Sequence, residues 1–211
     1  MGACRQIVIF SQVFRFIHQT NFDMNTLDTP NIPNPASVSY SSRALRFGLI
    51  GGLISIGFSL ISNLTGLAQP GNTGSGLLMM VVSLAISFGI AYMATKSHRD
   101  EDLGGYITLG RGLAIGFVAL MIATILGAIF NYIYLSFIDP GMMERAFEQM
   151  REQFEERGMS EEQIDAALSM SQKFTSPLMT SIFALGGGAF FSLIISLVAG
   201  AILKKDPPMG V

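Results

Sequence analysis

The chain has 211 residues, 50% of them apolar and 13% charged, with a formal net charge of −2. Soluble domains carry about 25% charged residues, and the mean hydropathy here is +0.48. This balance excludes a disordered chain, a collagen-like chain and a disulfide scaffold, and it leaves no basic footprint for nucleic acid. The lone Cys4 rules out an internal disulfide and a Cys-based zinc site, while His18 and His98 stand in no ligand-spaced motif. No cofactor and no metal is expected.

Residues 1–42 read as a flexible cytoplasmic segment. The apolar run at 7–17 is interrupted by Gln12 and Arg15 and has no small-residue cleavage site, so it is not a signal peptide. Gln6 stands where a myristoylation motif needs Ser or Thr. Residues 25–42 are rich in Thr, Pro, Asn and Ser, the composition of a solvated linker. Met24 is a second candidate start, which would make residues 1–23 an overrun of the reading frame.

Residues 47–95, 112–138 and 174–203 contain no Asp, Glu, Lys or Arg. A helix needs about 20 apolar residues to cross a hydrocarbon core of about 30 Å, so the first stretch holds two spans, separated by an uncharged turn at 69–76. The expected fold is all-α and integral to the membrane, with four transmembrane helices at 47–67, 76–95, 112–138 and 177–203, in one membrane domain over 43–205. Strand alternation for a barrel is absent. The third helix is long enough to tilt, and Tyr132 and Tyr134 suit an interfacial position.

Arg43, Arg46, Lys96, Arg99, Arg111, Lys204 and Lys205 would share one side of the membrane, close to span ends. Residues 139–173, on the other side, hold four basic and nine acidic residues, a net charge of −5. The positive-inside rule then puts both termini in the cytoplasm, including the tail at 206–211.

The segment at 139–175 reads as an extracytoplasmic amphipathic hairpin between spans three and four. Asp139 and Pro140 look like a helix opening. Met143, Phe147, Met150 and Phe154 recur on one helical face, Gly158 suits a C-terminal cap, and Ser160 with Gln163 suits a capping box. Ile164, Ala167, Leu168 and Phe174 form the second apolar side, and Ser176-Pro177 opens the fourth span. These faces are expected to bury one another or dock on the bundle, leaving an acidic surface for a protein partner or for solvent. The methionines of this region are soft enough for Cu(I), but their helical spacing among Phe and Leu fits hairpin core.

Other patterns in the sequence carry weaker signals. The glycines from Gly105 to Gly110 lack the Lys and Ser/Thr of a phosphate loop and follow no strand, so they read as a lead-in to the third span. His98 to Asp102 reads as a solvated cap rather than a metal site. Small residues repeat every four positions in three spans: Gly51, Ser55, Ser59 and Asn63; Ser83, Ser87, Ala91 and Thr95; Ala184, Gly188, Ser192, Ser196 and Gly200. Such stripes let helices approach closely, within the bundle or across a homo-oligomer. Asn63 and Asn131 suit interhelical hydrogen bonds or a solute path. No ionisable group other than tyrosine is read inside a span, which disfavours a proton relay, and no paired carboxylates, Ser–His–Asp set or zinc-protease helix is present.

Residues 43–205 resemble a bacterial family of four-span membrane proteins catalogued as domain of unknown function 4199. The resemblance rests on the order and spacing of several motifs. These are Arg-Phe-Gly-Leu-Ile-Gly-Gly at 46–52, Gly-Gly-Tyr-Ile at 104–107 with Gly110 and Arg111, Phe-Ile-Asp-Pro at 137–140, Gly-Met-Ser-Glu-Glu-Gln-Ile at 158–164, Ser176-Pro177, and Ala-Ile-Leu-Lys-Lys at 201–205. It implies the bacterial inner membrane and brings no activity, cofactor or catalytic residue. The expectation is a non-enzymatic membrane protein, structural or accessory, that meets lipid and a protein partner; the alternative is a small oligomeric permease or transporter component.

Overall fold

Four long helices carry the apolar stretches, and two short amphipathic ones stand between the third and fourth of them. The computed structural model describes residues 37–67 and 73–206. The helices are α1 (Ser41–Leu64), α2 (Thr73–Ser97), α3 (Leu109–Ile133), α4 (Met142–Glu156), α5 (Glu161–Phe174) and α6 (Pro177–Leu203). Wider π-helical turns prolong α2 through His98–Asp102 and α3 through Tyr134–Ile138. No strand is present among the described residues; Ile107 and Lys205 form an isolated antiparallel bridge. Four helical stretches are long and apolar enough to cross a membrane: Ser41–Leu64, Gly76–Asp102, Leu109–Ile138 and Pro177–Leu203. The readings of residues 1–36, of the centre of the 69–76 turn and of the last tail residues fall outside the described residues.

Small residues are prominent inside the bundle, beside a few large ones such as Ile90, Ile115 and Leu120, and many large residues lie outside. Its buried positions include Ala44, Gly48, Ala91, Gly112, Gly116, Ala119, Ser196, Ala199 and Gly200, while Leu53, Leu64, Phe183 and Phe190 are exposed. Lipid is as apolar as leucine, so burial of large side chains brings no gain there, and close backbone approach holds the helices together instead. Helix α3 is central: 33% of its most apolar window is buried, against 17–22% in the other spans. It packs most extensively on α6 and α1 and also meets α2. At Gly112 an added Cβ would lie 3.1 Å from the Gly200 Cα, and at Gly52 it would lie 2.8 Å from Leu126.

The boundaries differ from the expected ones where charge was taken as a stop signal. Helix α1 begins at Ser41, with Arg43 and Arg46 inside it, and α2 runs on past Lys96. Helix α6 spans the expected 177–203, with Ser176 accepting from the Met179 N–H and Pro177 in the first turn.

The opening of α4 needs a correction. Asp139 and Pro140 do not start it; the helix begins at Met142 after Gly141, with no side-chain cap. Asp139 instead closes the π-helical turn through its N–H to the Tyr134 carbonyl, and its carboxylate pairs with Arg145 at 2.5 Å. The other end signals fold as expected. Gly158 adopts φ +74°, where a side chain would be strained. Ser160 and Gln163 form both bonds of a capping box.

Candidate functional site

Polar side chains gather at two levels of the bundle. The first joins the start of α1, the end of α2 and the start of α3. Asp102 is gripped by Arg43 through two parallel bonds, Nε to Oδ2 at 3.0 Å and a terminal nitrogen to Oδ1 at 2.9 Å. This fork geometry is the strong form of the pair. Arg43 also donates to Glu101 at 2.6 Å and to Ser97 at 2.7 Å. His98 is wholly buried, one helical turn before Asp102, with its Nδ1 2.8 Å from that carboxylate. Its Nε2 accepts from Arg111 Nε at 3.4 Å, which assigns the ring proton to Nδ1. Arg111 reaches on to the Val38 carbonyl and lies over the Tyr40 ring. Two glycines with positive φ, Gly104 and Gly105, turn the chain back into α3. The Ile107–Lys205 bridge and an Arg99 bond to the Leu203 carbonyl bring the end of α6 to the same level.

This corrects, at His98 and Asp102, the reading of residues 98–102 as a solvated cap, while Asp100 and Glu101 stay exposed. The wider turn swings His98 inward, and Glu101 and Asp102 meet Arg43, which lies far away in sequence, while Asp100 pairs with its neighbour Arg99. The signal was present in His98 and Asp102 at an i, i+4 spacing, but their partners on other spans could not be named from spacing alone. The glycines at 105–110 serve the turn, and Thr108 caps α3 by accepting from the Arg111 N–H. Among the described residues no group of three or more His, Cys, Asp or Glu side chains is placed to hold a metal ion.

The second level is a cavity of about 550 Å³ between α1, α2, α3 and α6. Ser55, Ser59, Ser62 and Asn63 of α1, Ser83 and Ser87 of α2, Thr124 of α3 and Ser192 of α6 supply its polar lining. Phe58, Met79, Ile86, Ile90, Leu120, Phe191 and Ile195 supply the apolar part, and no charged residue lines it. Ser62 bonds to the Phe58 carbonyl and Met79, and Ser87 to the Ser83 carbonyl. Ser192 is 4% exposed and lines the cavity, and no hydrogen bond joins its side chain to a described residue.

The small-residue stripes thus divide along their length. Near the charged level they close the bundle: Gly51 abuts Ile90, and Gly116 would bring a Cβ 3.1 Å from Ser196. Further along they stand apart. Of the residues read as packing positions, Gly51 and Gly188 make tight contacts, the latter against Thr124, and Gly188 lines the cavity together with Ser55, Ser83, Ser87 and Ser192. The closest backbone approach missed by the sequence reading is at Gly48. Asn131 donates to Ser181 at 3.2 Å and links α3 to α6, while Asn63 faces the cavity.

Helices α4 and α5 pack on each other. Ile164 and Leu168 are buried, whereas Met143, Phe147, Met150 and Phe154 are only half-buried and Phe174 is exposed. Arg151 pairs with Asp165 across the two helices at 2.5 Å.

Residues 46–205 match the family described as Protein of unknown function (DUF4199). The chain belongs to that family. The matched stretch takes in His98, Asp102, Arg111 and the whole cavity lining, and Arg43 precedes it. No curated protein and no solved structure matches the chain.

Proposed function

We propose that this is a non-enzymatic accessory protein of the bacterial inner membrane, with both termini in the cytoplasm and α4 and α5 outside as a partner-binding hairpin. The observation that carries the reading is how the charged level is used. Arg43, His98, Asp102 and Arg111 bind one another and tie the helix ends together, a structural lock rather than a reactive group aimed at a substrate. The basic residues near span ends support the orientation, and the acidic exposed faces of α4 and α5 suit a basic partner.

The test is photocrosslinking in native membranes from residues placed at Glu155 and at Glu162. Capture of one common protein from both positions, lost in Phe147→Asp, supports the accessory role; lipid adducts alone overturn it. The second reading, a small oligomeric permease, draws on the cavity between all four spans. A strict monomer in mild detergent counts against it.

A further inference from the structure

We propose that the cavity between α1, α2, α3 and α6 binds an uncharged lipid bearing hydroxyl or carbonyl groups, admitted sideways from the bilayer between α2 and α6. The lining sets the chemistry. Hydroxyl and amide groups alternate with apolar side chains, the mixture that orients an amphipathic ligand. No charged side chain is present to match an ion, and an unpaired charge at membrane depth is costly, so phosphate-bearing lipids are disfavoured.

Unspent hydrogen-bonding capacity points to an occupant. Ser192 is buried within the bundle yet bonds to no described residue, and the side chains of Ser55, Ser59 and Thr124 on two other helices likewise bond to none. A membrane helix ordinarily spends such hydroxyls on its own preceding turn or on a neighbouring span, as Ser62 and Ser87 do in the first way and Ser181 in both. Here they converge on open space.

The opening sets the route. Ser83 on α2 and Ala184 and Phe191 on α6 line the cavity and are exposed. Ser83 lies ten residues inside the start of α2 and Phe191 fourteen inside that of α6, about 15 Å and 21 Å along their axes at 1.5 Å per residue. Both depths fall within a hydrocarbon core of about 30 Å. These exposed lining residues therefore face lipid tails, and Phe190 and Leu84 beside them add exposed apolar surface. A polar head enters the cavity while its acyl chain trails into the bilayer.

The experiment uses the full chain in lipid nanodiscs and a monoacylglycerol with a diazirine near its ester. Photolabelling should map to residues 79–90 and 184–195, saturate, and be displaced by excess unlabelled monoacylglycerol. The same acyl chain on glycerol phosphate should not label these segments. Ser192→Leu should cut labelling there by roughly tenfold, as a site overfilled by a larger side chain does, with labelling at the outward-facing Leu53 and Ile54 unchanged. Saturation and displacement on the unaltered chain decide the matter even where the variant folds poorly. Labelling that never saturates, that spreads evenly over outward-facing residues, or that is equal for the phosphate probe overturns the proposal.

Discussion

An alanine at position 48 would set its Cβ 2.7 Å from the backbone carbonyl oxygen of Ala119 and 2.8 Å from the Ile122 Cβ. Neither atom can rotate away, so Gly48→Ala should cost about 1–3 kcal/mol by forcing α1 from α3. At Gly57 nothing lies within 4 Å, and Gly57→Ala should instead gain up to about 1 kcal/mol from helix propensity. Thermal unfolding of both variants in one detergent separates the two; equal midpoints would mean that the helices approach less closely than described. Asp102 joins Arg43 to the buried His98. Asp102→Asn removes the charge of an acceptor shared by two donors and should cost about 1–3 kcal/mol, whereas Glu101, 59% exposed at its side chain, should tolerate Gln with a smaller shift. Gly188 stood on a small-residue stripe legible in the sequence and Gly48 and Gly57 on none, and only the opposing helix decides which atom, if any, each of them meets.

At the scale of elements, the short-range signals did best. The capping box at Ser160 and the Ser176-Pro177 opening depend on atoms three residues apart, and both formed as read. Asp139-Pro140 carried the same signature and failed, because the preceding helix widened into a π turn that claimed the Asp139 N–H. Ser160→Ala should cost about 1 kcal/mol, seen as faster amide exchange over residues 161–174 with little change in α6. On α4, Phe147 is half-buried and Glu155 exposed. Phe147→Asp should raise protease cleavage between α4 and α5, and Glu155→Gln should not. Equal cleavage of the two variants would mean that the apolar face of α4 is not packed.

At the scale of the whole molecule, the contacts of Arg43, Arg111 and Lys205 place the starts of α1 and α3 and the end of α6 together. Gly110 has open space around its Cβ position and Met170 is 66% exposed, so each accepts a cysteine in a Cys4→Ser background. With the basic end inside, an impermeant thiol reagent should label Met170→Cys in intact cells and Gly110→Cys only after lysis. Labelling of Gly110→Cys alone in intact cells would invert the orientation.

The sequence by itself determined four apolar spans, because lipid imposes a minimum length and the absence of charge marks it. It also determined the two short helices, through their periodicity and, for α5, its capping box. Only the tertiary structure decided the use of the polar residues. Regular small-residue spacing says that helices can come close, but the same spacing closes the bundle at Gly51, Gly116 and Gly200 and leaves it open at Ser55, Ser83 and Ser192. The outcome at each level depends on the side chains of all facing helices together. The charged run at His98 to Asp102 reads as solvent-seeking when its partners are unknown, yet Arg43 and Arg111 neutralise and bind it from other helices. Pairing across such separations is a property of how the spans are arranged, and no local pattern encodes it.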